Sequence, residues 1–396
     1  MIGEEKLVPK RRFEEFKLDW KQKRFGDYFN IASGYAFKKS DYSFKGIPII
    51  NGESIQNGKI KTDNLNYLPE KFFEGYNNFL VKTDDIVIGL NRPIINNKLK
   101  ISLIPKHLND SMLYQRAGKI IKINKMHTYF AYQMLEKEIL KFVKEESVGS
   151  DQPFISTTEL MDFYLQLPEN NREQQKIGAF FKVLDERIAN QERKIAKVKA
   201  LKAAYLTEMF PQEGETVPKR RFKGFEREWD IYLLKDLIEY EFKGKTNANM
   251  SGGTTPYLET EYLNGGKKSS VNVEADTEEE DVIILWDGSN AGTVYHGFKG
   301  ALGSTLKSYK PKYSGSFLYY YLKKHQELIF IKYRTPNIPH VINTFTEEFK
   351  VIIPSKEEQQ KIGNFFKNLD NQIEMEEKKL DKLQKMKEAY LEEMFV

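Results

Sequence analysis

The chain has 396 residues, of which 40% are hydrophobic and 30% are charged, a composition typical of a globular protein large enough for more than one core. It contains no cysteine, which excludes a disulfide scaffold and any thiolate site for zinc or an iron–sulfur cluster. The net charge is only +5, which permits a nucleic-acid partner without indicating one.

The first residues lack the apolar core of a signal peptide. The longest apolar runs, such as 283–286, are much shorter than the ~20 residues that a membrane span needs. We therefore expect no secretion signal and no membrane anchor.

The chain repeats itself in two places. The hexapeptide VPKRRF at 8–13 recurs unchanged at 217–222. The stretch 173–210 recurs without a gap at 358–395. The order is therefore globular segment, helix, globular segment, helix, which indicates duplication of one unit.

Each globular segment mixes strand and helix patterns. The runs 85–88 and 281–284 predict short buried strands that lead into polar loops, and 130–143 and 317–329 predict amphipathic helices. The fold class is α+β, with two strand-rich domains separated by a long antiparallel two-helix coiled coil. The expected boundaries are 1–170 for the first domain, 171–211 for the first helix, 212–356 for the second domain and 357–396 for the second helix.

The two copies differ in an uneven way, because the helices and the VPKRRF motifs nearly match while the domain interiors hardly match at all. Drift in a duplicated scaffold is one explanation. The other, which we favour, is that the helices share one task while each domain binds a different ligand.

In both long helices the spacing of apolar residues alternates between four and three, which is the heptad pattern of a coiled coil. Polar residues interrupt this seam at Gln191 and Glu376 and at Lys202 and Lys387, and polar residues at such positions commonly fix the register. For the two lysines, side chains that extend their charged ends to solvent are an equal alternative. The predicted packing residues are Ile177, Phe181, Leu184, Ile188 and Ile195 in the first helix and Ile362, Phe366, Leu369, Ile373 and Leu380 in the second.

Capping boxes are predicted at the helix starts, with Asn170 and Glu173 in one and Ser355 and Glu358 in the other. A helix of about 38 residues measures roughly 55 Å. The second domain links the end of the first helix to the start of the second. Antiparallel pairing brings those two ends together, so we expect an antiparallel, pseudo-two-fold and almost circular chain with one domain at each end of a rod.

No catalytic pattern is found: there is no Walker phosphate loop, no dinucleotide-binding fingerprint, and no metal-ligand spacing among the five histidines. We therefore expect a binding protein rather than an enzyme, with no catalytic, cofactor-binding or metal-binding residues. Activity of the isolated chain on DNA would contradict this.

The arrangement resembles the specificity subunit of type I restriction–modification systems. The likeness covers nearly the whole chain and rests on the duplicated order, on the opening stretch 26–58, and on the strand that runs through Leu167 and Pro168 into Glu173-Gln-Gln-Lys-Ile177. The resemblance implies that each target recognition domain reads one half of a split, asymmetric site in double-stranded DNA. It also implies that the helices set the spacing and bind two methyltransferase subunits.

Further partners follow from the same resemblance. Two ATP-dependent restriction subunits would complete the complex, and S-adenosylmethionine, ATP and Mg would be bound by those other subunits rather than by this chain. The expected location is the cytoplasm of a bacterium or an archaeon. A stand-alone methyltransferase or a fused nuclease–methyltransferase is an alternative partner.

DNA contacts require basic and amide side chains on exposed loops. The candidates are Lys38, Lys39, Asn91, Arg92, Ser150 and Gln152 in the first domain and Lys243, Lys245, Ser289, Asn290, Arg334 and Asn337 in the second. Any single one of them is at least as readily explained as an ordinary surface residue. A duplicated coiled-coil adaptor that binds peptides or proteins also fits the sequence, and it predicts no salt-dependent affinity for DNA.

Overall fold

The computed structural model describes residues 7–146 and 154–396. The chain divides into two compact units, one formed by Met1–Asn190 with Leu380–Val396 and the other by Gln191–Lys379. Both divisions fall within a long helix. Each unit therefore contains one strand-rich domain, the beginning of one long helix and the end of the other.

Two helices of 38 and 39 residues are much longer than the other helices described. In the described part of the chain, no helix is both long and apolar enough to cross a membrane. The helices are α1 (Phe25–Tyr28), α2 (Thr128–Glu146), α3 (Thr157–Asp162), α4 (Asn171–Glu208), α5 (Thr260–Leu263), α6 (Gly315–Lys324), α7 (Gln326–Lys332), α8 (Phe345–Glu348) and α9 (Lys356–Met394).

In the first unit, the beginning of α4 packs against the end of α9. Lys387 Nζ lies 3.0 Å from Asp185 Oδ1, and the rings of Phe180 and Tyr390 meet edge-on with centroids 4.9 Å apart. Residue numbers rise along one helix as they fall along the other, so the pairing in this unit is antiparallel, as the connectivity predicts.

The second unit repeats this arrangement with the other helix halves. Gln191 Nε2 donates to Glu376 Oε2 at 2.7 Å, and the rings of Tyr205 and Phe365 lie 5.0 Å apart. Lys202 forms an ion pair with Asp370. Gln191 and Glu376 therefore pair with each other across the helices, and Lys202 and Lys387 each pair with an aspartate of the opposite helix, which favours their predicted role in fixing the register.

The first domain contains two four-stranded sheets. Their strand orders are β11-β8-β13-β2, which is antiparallel throughout, and β6-β3-β12-β7, in which β3 and β12 are parallel. The strands are β1 (Lys21–Arg24), β2 (Phe29–Ser33), β3 (Ile47–Ile50), β4 (Ile55–Gln56), β5 (Lys59–Ile60), β6 (Asn66–Leu68), β7 (Leu80–Val81), β8 (Ile86–Gly89), β9 (Ile94–Ile95), β10 (Lys98–Leu99), β11 (Ile101–Leu103), β12 (Ser111–Leu113), β13 (Ala117–Lys122) and β14 (Tyr164–Leu167).

The second domain has the same plan. Its sheets have the orders β16-β22-β19-β20 and β18-β17-β21, and β17 and β21 are again parallel. The strands are β15 (Asp230–Leu233), β16 (Ile238–Lys243), β17 (Ser251–Leu258), β18 (Ser270–Val271), β19 (Val282–Leu285), β20 (Val294–His296), β21 (Ala301–Leu302), β22 (Leu306–Pro311) and β23 (Lys350–Ile353).

The predicted strands at 85–88 and 281–284 are confirmed as β8 and β19, in which every residue is buried. The two faces of each strand pack into different hydrophobic cores, which explains the continuous apolar run. One prediction was wrong: 317–329 is not a single helix but α6 and α7, separated at His325. His325 has φ −95° and ψ 14°, and its Nδ1 lies 2.8 Å from the carbonyl oxygen of Tyr321, so the residue ends α6 locally.

The first VPKRRF motif joins the ends of both long helices in its unit. Arg12 Nε lies 2.7 Å from Glu173 Oε1, and Arg12 Nη2 donates to Glu173 Oε2 at 2.9 Å, at the beginning of α4. Arg11 Nε pairs at 2.5 Å with Glu393 Oε2, at the end of α9. The motif therefore holds the two antiparallel helix ends together.

The second VPKRRF motif makes the same contacts with the roles of the helices exchanged. Arg221 Nε lies 2.7 Å from Glu358 Oε1 at the beginning of α9. Arg220 Nε lies 2.6 Å from Glu208 Oε2 at the end of α4. Equivalent residues thus make equivalent contacts in both units, which confirms the duplication and explains why the hexapeptide is repeated.

These ion pairs also change the interpretation of the capping boxes. Asn170 Oδ1 accepts from Arg172 N at 2.9 Å, and Ser355 Oγ accepts from Glu358 N at 3.4 Å, so both first residues cap their helices. The side chains of Glu173 and Glu358 instead bind the VPKRRF arginines, so the reciprocal half of each predicted box is not formed.

Candidate nucleic-acid interface

In the first domain, several loops meet where β3, β8 and β12 end. Because β3 and β12 are parallel, their carboxyl ends lie side by side. Leu90 N donates to the carbonyl oxygen of Arg116 at 2.8 Å, and Gln115 N donates to that of Tyr35 at 3.0 Å. We call loops 34–35, 51–53, 90–93 and 114–116 the first edge.

Two of the predicted DNA contacts, Asn91 and Arg92, lie on the first edge. Asn91 is half-buried and forms an isolated β-bridge with Phe154, whereas Arg92 is exposed and has a positive φ of 46°. Ile155 N donates to the carbonyl oxygen of Leu90 at 2.9 Å, which places the chain after residue 153 beside this loop. The candidates Ser150 and Gln152 lie outside the described residues.

Lys38 and Lys39 occupy an exposed turn shortly after the first edge. The turn is anchored by Phe37, which is buried among other aromatic rings, including those of Phe72 and Tyr76. Neither lysine forms an ion pair in the described part of the chain. Both charges are therefore available to a phosphate backbone.

In the second domain an equivalent set of loops meets at the ends of β17, β19 and β21. Trp286 N donates to the carbonyl oxygen of Thr305 at 2.8 Å, and Val341 N donates to that of Trp286 at 2.9 Å. These bonds repeat those between Leu90 and Arg116 and between Ile155 and Leu90. We call loops 244–246, 286–290, 303–305 and 334–341 the second edge.

Most candidates of the second domain are brought together on the second edge. Arg334 Nη1 donates to the carbonyl oxygen of Ser289 at 2.9 Å, and its guanidinium lies 5.4 Å from the centroid of the Phe330 ring. This contact ties the loop of Asn337 to the loop of Asn290, and both amides are exposed. Arg334 thus positions two loops as well as supplying charge.

The two lysine candidates of the second domain differ from each other. Lys243 Nζ lies 2.6 Å from Asp287 Oδ2, so much of its charge is already balanced at the second edge. Lys245 is exposed and forms no ion pair with any described residue. Lys245 is therefore the freer of the two to bind a phosphate group.

Four further exposed residues were not among the predicted contacts: Gln115 and Arg116 on the first edge and Ser304 and Thr305 on the second. Each pair lies in a short polar turn between two strands, and such turns could have been searched for directly. Their position beside Arg92 or Asn290 depends on strand order, which the sequence does not show.

The two edges share a backbone arrangement but carry different side chains. By the matching hydrogen bonds and bridges, Arg116 corresponds to Thr305, Tyr35 to Thr246, and Asn91 to Asp287. The side chains therefore differ at equivalent positions, while the backbone hydrogen bonds that hold the loops are the same in both domains. Among the described residues, no group of three or more His, Asp or Glu side chains is arranged to hold a metal ion.

Comparison with known proteins identifies the family. The family model described as the type I restriction modification DNA specificity domain matches residues 17–200 and 226–385. The chain belongs to this family. The two matches correspond to the two copies found in the sequence, and each covers one strand-rich domain with a large part of the long helix that follows it.

Individual relatives agree with the family. The chain is 34% identical over 205 residues to the type I restriction enzyme MjaVIII specificity subunit of Methanocaldococcus jannaschii, and 28% identical over 178 residues to the EcoAI specificity subunit of Escherichia coli. The alignments cover 51% and 43% of this chain, but they span only 48% and 30% of those two relatives.

Solved structures share the fold over nearly the full length. The crystal structure of the type I restriction–modification S subunit of M. genitalium matches with a TM-score of 0.69 at 18% identity, covering 98% of this chain and 99% of that one. A chain from a structure of the type I R-M system matches with a TM-score of 0.54 at 16% identity, covering 96% of this chain and 99% of that one. The predicted fold class, with two recognition domains and two long helices, is confirmed.

Proposed function

We propose that this chain is the DNA-reading specificity subunit of a type I restriction–modification complex, and that each domain reads one half of a bipartite, asymmetric site. The observation that supports this most is the contrast between the two units. The VPKRRF motifs and helix starts make identical contacts, whereas equivalent positions on the two edges carry different side chains. A duplicated frame with two different reading surfaces suits a site with two different halves.

The DNA contacts would come from the two edges and the basic turns beside them. Lys38, Lys39 and Lys245 are exposed and suit phosphate contacts, which orient a protein without reading sequence. Asn91, Arg92, Asn290 and Asn337 carry the donors that read base edges, and Arg334 and Ser289 hold the second edge in shape. Ser150, Gln152 and Lys243 complete the set of candidate contacts.

The paired helices would set the spacer between the half-sites and bind two methyltransferase subunits. The register is fixed by polar contacts, namely Gln191 with Glu376, Lys202 with Asp370 and Lys387 with Asp185. A one-heptad slip would separate every one of these partners. Half-sites on one face of B-DNA lie about 34–36 Å apart, a distance that a helix pair can enforce and a flexible linker cannot.

The chain itself would be non-catalytic. S-adenosylmethionine would be bound by the methyltransferase subunits, and ATP and Mg by two restriction subunits that complete the assembly on double-stranded DNA in the cytoplasm of a bacterium or an archaeon. This division of labour is consistent with edges built from amides, arginines and lysines rather than from paired carboxylates.

The decisive experiment compares genome-wide methylation in cells with and without this chain while the methyltransferase partner is expressed. We expect a bipartite methylated motif that disappears with the chain. Binding of the purified complex to that motif should weaken steeply as salt rises. An unchanged methylome would contradict the proposal. An unchanged methylome together with salt-independent binding to a protein partner would favour the adaptor.

A further inference from the structure

Two arginines of the first edge are exposed and have no partner among the residues that the structure describes. Arg92 and Arg116 make no side-chain hydrogen bond or ion pair with any described residue. Other arginines behave differently: Arg12, Arg221 and Arg334, for example, are bound to carboxylates or carbonyl oxygens of the chain itself. Within residues 7–146 and 154–396, a ligand would therefore meet the guanidinium groups of Arg92 and Arg116 without breaking a contact.

The backbone that carries these arginines is rigidly held. Leu90, two residues before Arg92, donates to the carbonyl oxygen of Arg116 at 2.8 Å. A Cβ on Gly52 would lie 2.9 Å from that same oxygen, so the glycine permits close packing against it. Lys100 N donates to the carbonyl oxygen of Pro93 at 2.7 Å on the other side. The loops that carry the two arginines are thus joined to each other by a backbone hydrogen bond.

Both arginines adopt a conformation that favours glycine. Their φ angles are 46° for Arg92 and 71° for Arg116. The position after Asp287 in the second domain, which corresponds to Arg92, is Gly288 with φ 117°. Non-glycine residues in this region cost free energy and are found preferentially at binding sites. The first domain therefore retains a side chain at a place where the second domain uses glycine.

A buried lysine adds positive charge beside Arg92. Lys100 is only 5% exposed and lies between β10 and β11, where its backbone is bonded to the loop of Arg92. Burial lowers the pKa of its ammonium group, the Glu53 carboxylate opposes this effect, and the charge of Arg92 adds to it. Glu53 is exposed and is therefore a weak counter-charge.

We propose that Arg92 and Arg116 together read guanine in the half-site of the first domain, from the major groove. The planar guanidinium presents parallel N–H donors that match the O6 and N7 acceptors of guanine, which is the commonest specific contact between proteins and DNA. Because the backbone holds both groups on one edge, they read base pairs close together in the same half-site. This inference rests on the proposed function and names guanine as a base that the first edge reads.

The test uses the full-length chain with its methyltransferase partner and a duplex that carries the mapped motif. In one duplex each guanine of the first half-site is replaced by 7-deazaguanine, which lacks the N7 acceptor of the major groove. In another duplex inosine replaces guanine, which removes only the minor-groove amino group. We expect 7-deazaguanine at one or two positions to weaken binding about 10- to 100-fold and inosine to have little effect.

Variants connect the effect to the residues. Arg116→Ala should weaken binding to the normal duplex by a similar factor and should show little further loss on the 7-deaza duplex. Arg92→Ala should do the same at the neighbouring position. Arg24→Ala is a matched control, because Arg24 is also exposed in the first domain but pairs with Asp162. Like the wild type, the Arg24→Ala variant should bind the normal duplex tightly and the 7-deaza duplex weakly.

Several results would overturn the assignment: a first half-site without a G·C pair, a loss with inosine instead of 7-deazaguanine, or an Arg116→Ala variant that still discriminates fully. Each of these leaves the proposed function intact as long as the wild type binds its motif specifically. Unchanged recognition of the second half-site by Arg116→Ala shows that the variant is folded.

Discussion

Arg12 and Glu173 form a bidentate ion pair in which the glutamate side chain is 1% exposed and the arginine side chain 10% exposed. The same guanidinium donates to the carbonyl oxygen of Leu18 at 2.6 Å. Arg221 repeats this arrangement with Glu358 and with the carbonyl oxygen of Arg227. The arginines of the basic VPKRRF motif thus form ion pairs and hydrogen bonds within each unit, rather than binding a ligand.

Removing Arg12 should be costly because it leaves a buried carboxylate without a partner. We expect Arg12→Ala to lower the free energy of unfolding by about 3–5 kcal/mol. Urea denaturation monitored by circular dichroism measures this. Arg227→Ala is the matched control, since Arg227 pairs with Asp230 at the surface and should cost less than about 1 kcal/mol. Equal losses of unfolding free energy in the two variants would show that the ion pair of Arg12 with Glu173 contributes no more than a surface pair.

Gly178 permits α2 to approach α4 closely. A Cβ at this position would lie 2.5 Å from His127 Nδ1 and 2.8 Å from the backbone nitrogen of Phe130. Glycine to alanine normally stabilises a helix interior by about 1 kcal/mol. Here we expect Gly178→Ala to destabilise by about 1–3 kcal/mol because the helices must move apart.

The control for this change is Gln175→Ala, which alters an exposed position of the same helix. It should leave the free energy of unfolding within about 0.5 kcal/mol of the wild type. A Gly178→Ala variant that is more stable than the wild type would mean that helix propensity, and not close packing, determines the residue at this position.

Glu376 should give the helix pair a measurable pH dependence. Hydrogen bonds from Gln191 and Lys194 lower the pKa of its carboxylate from 4.5 to about 2. Because the pKa in the folded protein lies below that of the unfolded chain, the carboxylate stabilises the fold above pH 4.5, and this contribution disappears as the pH falls towards 2.

The measurement is the difference in free energy of unfolding between wild type and Glu376→Gln, followed from pH 6 down to pH 2.5. We expect the difference to shrink as the pH falls. Glu374→Gln serves as the control, since Glu374 is exposed and pairs with Lys378 along the same helix. A difference independent of pH would show that the Glu376 carboxylate does not hold the register.

The proposed spacing role predicts the effect of lengthening both helices together. Inserting one heptad after Asn190 and another after Lys379, at the boundaries between the two units, adds ~10 Å to each helix and keeps the seam in phase. We expect the methylated motif to keep both half-sites and to gain a spacer of about three base pairs. Inserting a heptad in one helix alone should abolish methylation. Altered half-site bases with an unchanged spacer would contradict the spacing role.

Repetition and periodicity were sufficient to predict the duplicated plan, the long helices and their antiparallel pairing. The repeat of 173–210 at 358–395 fixes two equivalent helices, and connectivity then permits only one direction of pairing for a compact domain. Strands β8 and β19 were predictable because both of their faces are buried, which leaves a continuous apolar run in the sequence.

Other features depend on contacts that no local pattern reveals. Glu173 has the spacing of a capping box, but its side chain forms an ion pair with Arg12, which is far away in the sequence. The end of α6 at His325 depends on a contact between that ring and Tyr321. Arg116 became a candidate for DNA contact only when the order of the strands placed its turn beside the loop of Arg92.

The most direct test of the proposal that each domain reads one half-site maps the methylated motif genome-wide in strains that carry either Arg92→Ala or Asn337→Ala. Arg92 lies on the first edge and Asn337 on the second. We predict that each variant relaxes the sequence of one half-site, a different half for each variant, while the other half and the spacer stay unchanged. Loss of discrimination in both halves with either variant, or in the same half with both, would contradict the proposal.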